Sequence, residues 1–193
     1  HGRQEAARHN RNQGRIMKLR LIPVLAATLF FAGCGGDDQV TSGTITLTNE
    51  LYDGGSYYYA MGLSFDEAKE VPTLPDANRA DITLMAGAVT TGGPVLPFLT
   101  SNTLDPPFAL VSNHVTDAES VNAFRALKTV GSYTWIDLAA PISTNQVWVV
   151  KTRDAKYAKL RIVRLTLDTS VSPAVATCKL EWVWQPDGSA TFP

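Results

Sequence analysis

The sequence contains few of the residues that most catalytic and metal sites require. It has two cysteines, Cys34 and Cys178, and three histidines, His1, His9 and His114. His1, His9 and Cys34 lie within the first 34 residues, which the patterns described below assign to a leader, so only Cys178 and His114 remain in the domain. A His/Cys zinc site needs four protein ligands, or three plus water, and two residues cannot supply them. No G-x-S-x-G sequence surrounds a serine, and neither a phosphate-binding loop nor a dinucleotide fingerprint is present. We therefore predict that this protein is not an enzyme.

The N-terminal apolar run is too short to cross a bilayer, which takes about 20 residues. Leu21–Phe31 has eleven residues, follows the basic residues Lys18 and Arg20, and leads into Ala-Gly-Cys at 32–34. This order of basic, apolar and small residues is typical of a secretory signal peptide. The alternative is a buried helix in which the cysteine is incidental.

The stretch from Met17 to Cys34 resembles a bacterial lipoprotein signal with its lipobox, although Phe31 stands where that family usually has an aliphatic residue. The resemblance implies cleavage before Cys34, diacylation of Cys34, and a mature chain tethered to a membrane by its N-terminus. Gly35 follows the cysteine, where an aspartate would resemble an inner-membrane retention signal. We therefore predict a lipid-anchored protein of the bacterial outer membrane, on its periplasmic or cell-surface side.

These features divide the chain into four segments. Residues 1–16 are interpreted as translated upstream sequence or a cloning remnant, 17–33 as the signal peptide, 34–42 as a flexible lipid-anchored tether, and 43–193 as one domain. Six of the 17 basic and one of the 18 acidic residues precede Cys34, which leaves a net charge of −6. Such an acidic domain is poorly suited to the phosphate backbone, so no nucleic-acid partner is expected.

Alternation of apolar and polar residues predicts a mostly β fold, a single antiparallel, sandwich-like domain with one short helix. Strands are predicted at 44–48, 56–64, 80–89, 108–111, 133–138, 146–153, 157–167 and 175–185. The strands on either side of Asp154–Lys156 predict a hairpin, and slipped alternation predicts a bulge near Ile162-Val163. Residues 90–107, which contain four prolines, are predicted to be a loop.

The helix is predicted at Asp117–Lys128, where Thr116 and Glu119 fit a capping box. Cys178 shares a strand face with two tryptophans, so it is predicted to be a buried thiol and, with Cys34 committed to lipid, an unpaired one. The two tryptophans of that face, Trp182 and Trp184, are predicted to be core residues. The cluster Lys151, Arg153, Lys156, Lys159, Arg161 and Arg164 is predicted to form a solvated face.

Several motifs resemble those of a known family. They are G-L-S-F at 62–65, A-D-I at 80–82, V-K-T-R-D-A-K-Y-A-K-L-R-I at 150–162 and W-Q-P-D-G-S at 184–189. With the leader, they resemble the HmuY-like lipoproteins, best over 146–192. The resemblance implies a mostly β domain outside the cell and, from the best-known members of that family, haem binding. Ala155 stands where the family usually has a glycine.

Two functions remain open from the sequence. The first is a binding lipoprotein that holds haem, or a similar flat apolar ligand, in a cleft among loops. Haem iron takes His, Met, Cys or Tyr, so the candidate ligands are His114, Met61 and Met85. The hypotheses are His114 with one methionine, haem held without strong ligation, or no haem, with His114 a loop residue and both methionines core residues. The second function is a surface adhesion or interaction module that binds a partner protein and no small ligand.

Overall fold

The computed structural model describes residues 39–50, 52–53, 58–73, 80–101, 103 and 105–193. The predicted signal peptide, the lipidation site Cys34 and most of the predicted tether lie outside these residues. Within them, no helix is long and apolar enough to pass through a bilayer.

The described chain is mostly β-structure, as predicted, with two antiparallel sheets, a two-stranded ribbon and one α-helix. In chain order the elements are β1 (Ser42–Thr48), β2 (Tyr52–Asp53), β3 (Tyr58–Tyr59), β4 (Met61–Ser64), β5 (Lys69–Pro72), β6 (Ile82–Ala88), β7 (Val95–Thr100), β8 (Phe108–Asn113), α1 (Asp117–Ala126), β9 (Gln146–Lys151), β10 (Tyr157–Asp168) and β11 (Val175–Gln185). The ribbon pairs β2 with β3.

Sheet 1 contains five strands in the order β1-β11-β10-β9-β8. The predicted hairpin is confirmed, since β9 and β10 pair antiparallel, and Ala155 in their turn has φ 58°, a conformation that glycine adopts more easily. The predicted bulge is confirmed as well. Pairing with β11 shifts between Ile162 and Arg164, which leaves Val163 as the extra residue and keeps Arg164 on the outward face.

Sheet 2 contains four strands in the order β5-β4-β6-β7. Gly62 lets β4 approach β6 closely, because a Cβ atom at this position would lie 2.5 Å from the carbonyl oxygen of Ile82 and 2.6 Å from the Cβ atom of Ala80. The absence of a side chain at position 62 therefore sets how closely these two strands can pack.

The predicted loop at 90–107 is wrong in its middle part, because it contains β7. This strand includes Pro97, which has no amide hydrogen to donate, and an edge strand is where a proline is tolerated. β7 is an edge of sheet 2, and its other side makes an isolated bridge from Leu99 to Ala139 and accepts a hydrogen bond from the Ile142 amide at the Pro97 carbonyl oxygen, 3.1 Å away.

Two other strand predictions are wrong in their extent. The strand predicted at 56–64 is interrupted at Ala60, whose carbonyl oxygen accepts hydrogen bonds from the Thr73 amide at 2.9 Å and the Thr73 hydroxyl at 2.8 Å. The strand predicted at 133–138 is reduced to an isolated bridge between Ile136 and Phe108. Residues 136–139 thus connect an edge of sheet 1 to an edge of sheet 2.

Residues from both sheets build the core. β1 and β11 pack against β4 and β6, and the rings of Trp182 and Phe65 meet edge to face with centroids 5.8 Å apart. Trp184 and Cys178 are buried in the same cluster, and Cys178 is a free thiol. The predictions that both tryptophans are core and that Cys178 is buried and unpaired are confirmed.

The predicted capping box at the start of α1 is confirmed. Thr116 Oγ1 accepts a hydrogen bond from the Glu119 amide at 3.3 Å, and the Glu119 carboxylate accepts one from the Thr116 amide at 3.1 Å. The helix ends at Ala126 with Leu127 as its extended C-cap, two residues before the predicted end at Lys128.

Candidate functional site

His114 lies in the short connection between β8 and α1, at one edge of sheet 1. The side chain is half-buried, and its Nε2 atom is 2.8 Å from Ser112 Oγ. The next residue, Val115, is 91% exposed. One ring nitrogen of His114 therefore already has a hydrogen-bond partner, at the end of the preceding strand β8.

Met61 and Met85 both lie in sheet 2 and are half-buried. Strand alternation places Met61 on the same face as the buried Leu63, which is the core side. Met85 alternates with the buried Leu84 and so lies on the opposite face of the sheet. The two methionines are thus on different sides of one sheet.

The structure does not bring His114 together with either methionine. Sheet 2 packs through β4 and β6 on β1 and β11, whereas His114 follows β8 at the far edge of sheet 1. Four strand spacings, about 19 Å, separate β1 from β8. Residues 136–139 link the sheets at Phe108, which begins β8, whereas His114 follows the opposite end of that strand. Two axial ligands must flank the same iron, so this placement does not favour a His114–methionine pair. Ligation by His114 alone stays a prediction.

The prediction that the basic cluster of sheet 1 is a solvated face is wrong for Lys159, because α1 covers this residue. Lys159 is 2% exposed, and its Nζ atom donates to the carbonyl oxygens of Phe124 at 3.0 Å and Leu127 at 2.8 Å. These carbonyls end the helix, where positive charge suits the helix dipole. Burial lowers the pKa of Lys159 to about 8. Lys159 therefore fixes the C-terminal end of α1.

Arg161 is the second buried cation of this face, and it fixes the other end of α1. Its guanidinium donates to Asp117 in the first turn of the helix, to Ser120 at 3.2 Å, and to Glu181 of β11 at 2.8 Å. Every one of these partners belongs to the helix or the sheet. We interpret Lys159 and Arg161 as attachments of α1 rather than as ligand-binding groups.

In the described part of the chain, no three His, Cys, Asp or Glu side chains lie close enough together to hold a metal ion. The candidate site is instead an open cavity of about 440 Å³ at one end of sheet 1, which we call the loop cavity. It lies between the end of β1 and the connection from β10 to β11. Its lining residues are Asn49, Glu50, Val171, Ser172, Pro173, Ala174 and Val175.

Hydrogen bonds to Asn49 hold the inner wall of the loop cavity. The Asn49 side chain donates to the carbonyl oxygen of Ala174 at 2.9 Å and accepts from the amide of Ala176 at 2.6 Å. At the start of the loop, Asp168 accepts from the Ser170 amide at 2.8 Å and the Ser170 hydroxyl at 2.6 Å. The wall is therefore fixed at both ends, although it is a loop.

The side chains that face the loop cavity are mostly apolar. Val171, which is 46% exposed, lies with Pro173 and Val175 along the wall. Asn49 and Glu50 are its polar neighbours at the end of β1. Such a concave apolar surface with few polar groups is typical of small-molecule sites.

The sequence analysis did not predict this cavity. The available signal was weak: a single valine within the turn-forming residues Ser170, Ser172 and Pro173. Such a composition predicts a loop but not a cavity, because the Asn49 that shapes the wall is over 120 residues away in the chain.

A comparison with models of known protein families finds no match to this chain, and a comparison with curated proteins finds none either. The HmuY-like resemblance therefore rests on the sequence motifs alone. The haem that it implies takes His, Met, Cys or Tyr as iron ligands, and none of the residues lining the loop cavity is one of these. The loop cavity fits an apolar ligand, but not an axially ligated haem.

Proposed function

We propose that this chain is a non-enzymatic, lipid-anchored binding lipoprotein of the outer membrane, related to the HmuY-like proteins, whose loop cavity holds a flat apolar ligand. The loop cavity carries this proposal. Its volume of about 440 Å³ lies within the range of small-molecule sites, about 300–1,000 Å³.

Apolar contact and a fixed wall together support binding at this position. A ligand face placed against Val171, Pro173 and Val175 gains about 25 cal/mol for each Å² of apolar surface removed from water. Because Asn49 already holds the wall in place, little conformational entropy is lost when a ligand binds.

Haem is one candidate ligand under this proposal, held by its apolar faces without strong iron ligation. That form of the haem hypothesis agrees with the separation of His114 from Met61 and Met85. It also agrees with the lining of the loop cavity, which offers contact surfaces and no iron ligand.

The experiment is a titration of the purified mature domain with haem and, separately, with an aromatic fluorescent probe of apolar surfaces. We expect saturable binding to the wild type. Val171→Asp places a charge in the apolar wall and removes the contacts of one valine, so we expect affinity to fall about tenfold or more. Val115→Asp is the matched control, since Val115 is 91% exposed and lies elsewhere, and it should bind as the wild type does.

Two outcomes would contradict the proposal. If Val171→Asp binds haem and the probe as tightly as the wild type, the loop cavity is not the site. If neither ligand binds the wild type, the alternative of a surface interaction module without a small ligand is favoured. A Soret shift that is lost in His114→Ala would instead identify His114 as an iron ligand.

A further inference from the structure

The outward face of sheet 1 extends beyond the area that α1 covers. Register places three outward rows across β1, β11 and β10. The first contains Thr44, Glu181 and Arg161, the second Thr46, Lys179 and Arg164, and the third Thr48, Thr177 and Thr166. Helix α1 engages the first row through Arg161. The second and third rows form the exposed part of this face.

The bulge at Val163 brings two cations together on this face. Without the extra residue, Arg164 would share the inward side with Ile162, because side chains alternate along a strand. With it, Arg164 lies directly opposite Lys179 on the neighbouring strand. Like charges at directly opposed positions of an antiparallel pair are destabilising. The bulge therefore keeps Arg164 out of the core and places two like charges side by side on the outward face.

Neither of these two cations has a carboxylate partner among the described residues. Glu181, in the adjacent outward row of the same face, is already bound by Arg161 at 2.8 Å. Asp168, farther along β10, accepts hydrogen bonds from Ser170. Arg164 and Lys179 thus differ from Arg161, whose charge is balanced inside the protein.

Arg164 and Lys179 line an open cavity of about 340 Å³ together with three threonines, Thr46, Thr166 and Thr177. All five side chains can donate hydrogen bonds, and none is an anion. They come from three adjacent strands and project from the same face of sheet 1, so a ligand lying on this face can meet donors from all three strands. A planar carboxylate would engage mainly the guanidinium fork, whereas a tetrahedral group could meet donors from all three strands.

We propose that this face is a binding site for a tetrahedral oxyanion, phosphate or sulfate, either free or carried on a sugar-sized ligand. Arg164 binds two of its oxygens through the guanidinium fork, Lys179 contributes a second positive charge, and the threonine hydroxyls complete the contacts. A nucleic-acid backbone is a poor fit, because two cations on a predicted mature chain (34–193) of net charge −6 replace few counterions.

The test is to record ¹H–¹⁵N spectra of the mature domain during titration with inorganic phosphate, sulfate, glucose 6-phosphate and glucose at constant ionic strength. We expect saturable shifts of the Thr46, Thr177 and Lys179 amides with an oxyanion and none with glucose. Arg164→Gln and Lys179→Gln should each weaken binding about tenfold or more. Lys69→Gln, whose lysine is exposed and pairs with Glu67 on sheet 2, is the matched control and should not change it.

The two sources of the oxyanion give different results. Tighter binding of glucose 6-phosphate than of phosphate supports a sugar-borne ligand, and equal binding supports a free oxyanion. The proposal is overturned if no oxyanion causes saturable shifts in the wild type, or if the shifts persist unchanged in both variants while the spectra show that each is folded. These outcomes are independent of the loop cavity, which is at the end of the sheet and lined by different residues.

Discussion

The Asp81 carboxylate ties two hairpin turns together inside the protein. It accepts a hydrogen bond from the amide of Phe65, which begins the β4–β5 turn, at 2.8 Å, and one from the amide of Arg153, in the β9–β10 turn, at 3.3 Å. The side chain is 3% exposed, and burial raises the pKa of Asp81 to about 6, although both hydrogen bonds and the Arg153 charge oppose this rise.

We predict that Asp81 makes the protein less stable as the pH rises from 4 to 6. Its pKa in the folded state lies above that of an unfolded aspartate, about 3.9, so the folded state binds the proton more tightly. Its contribution to the free energy of unfolding is therefore largest below pH 4 and is lost as the pH rises through 6. The total loss is about 3 kcal/mol at most.

Urea unfolding of the wild type and Asp81→Asn at pH 4, 5, 6 and 7 measures this contribution. The difference in unfolding free energy between the two proteins should move in favour of the asparagine variant as the pH rises. Taking the difference cancels the opposite trend from Asp168 and Asp187, whose pKa values are lowered by hydrogen bonds from nearby serines and, for Asp187, Gln185. A difference that stays constant over this range would show that Asp81 does not titrate there.

Trp182 is a buried core residue at the contact between the two sheets. It is 2% exposed and packs edge to face on Phe65. We predict that Trp182→Ala costs about 3–5 kcal/mol of unfolding free energy, because it leaves a large cavity in a packed core. Trp135→Ala, at a half-buried ring that contacts Lys151 and Tyr157, should cost clearly less. Equal losses in urea unfolding would contradict this assignment, and lost ligand binding at unchanged stability would mark Trp182 as a site residue.

At the scale of elements, the approach of β4 to β6 depends on Gly62. We predict that Gly62→Ala costs about 1–3 kcal/mol, because the new Cβ atom would meet the backbone oxygen of Ile82 and force the strands apart. Gly87→Ala is the matched control on β6, because a methyl group at that position would lie 3.9 Å from its nearest neighbour, a ring carbon of Phe98. Thermal unfolding of both variants checks this, and similar melting temperatures would contradict it.

Elements whose determinants are local could be predicted from the sequence. Alternation is strict along β11, and the slip in the charge pattern between Arg161 and Arg164 marks the bulge. The capping box needs only Thr116 and Glu119, three residues apart. In each case the hydrogen bonds or side-chain directions that fix the element come from neighbours along the chain.

Elements that depend on distant partners could not be predicted. In the sequence alone, Pro97 indicates a loop, because proline interrupts most strands. It is compatible with β7 because β7 is an edge strand, which only the sheet topology shows. Lys159 and Arg161 are outward residues of β10, as alternation predicts, but they are buried because a helix from an earlier part of the chain lies on them. Alternation in the sequence predicts on which side of the sheet a residue lies. It does not predict whether another element covers that side.

At the scale of the whole molecule, the candidate ligands were chosen by chemistry, and the fold separates them. We selected His114, Met61 and Met85 because their side chains can bind iron. The type of a residue does not say how far it lies from the others in the fold. The loop cavity depends on Asn49 reaching Ala174 across the end of sheet 1, a contact that only the folded chain reveals. The site was therefore less predictable than the fold.

The location that we propose for the molecule depends on Cys34. We predict that cells expressing the full chain incorporate a fatty-acid analogue into the wild type and not into Cys34→Ser. Cys178 is an internal control, because this thiol is buried and burial raises its pKa to about 12, so it should not react. Labelling that survives Cys34→Ser would show that the lipid is attached elsewhere or that the signal has another role.

The central claim is that this protein binds a flat apolar ligand in the loop cavity, and amide shifts in ¹H–¹⁵N spectra during a haem titration test it most directly. To avoid broadening by iron, the titration uses a zinc-substituted or metal-free porphyrin beside haem itself. We predict saturable shifts of the amides of Asn49, Val171, Ser172, Ala174 and Val175 with each porphyrin, because the contacts are apolar and need no metal. Shifts centred on His114, and seen only with haem, or no saturable shift at all, would contradict the claim.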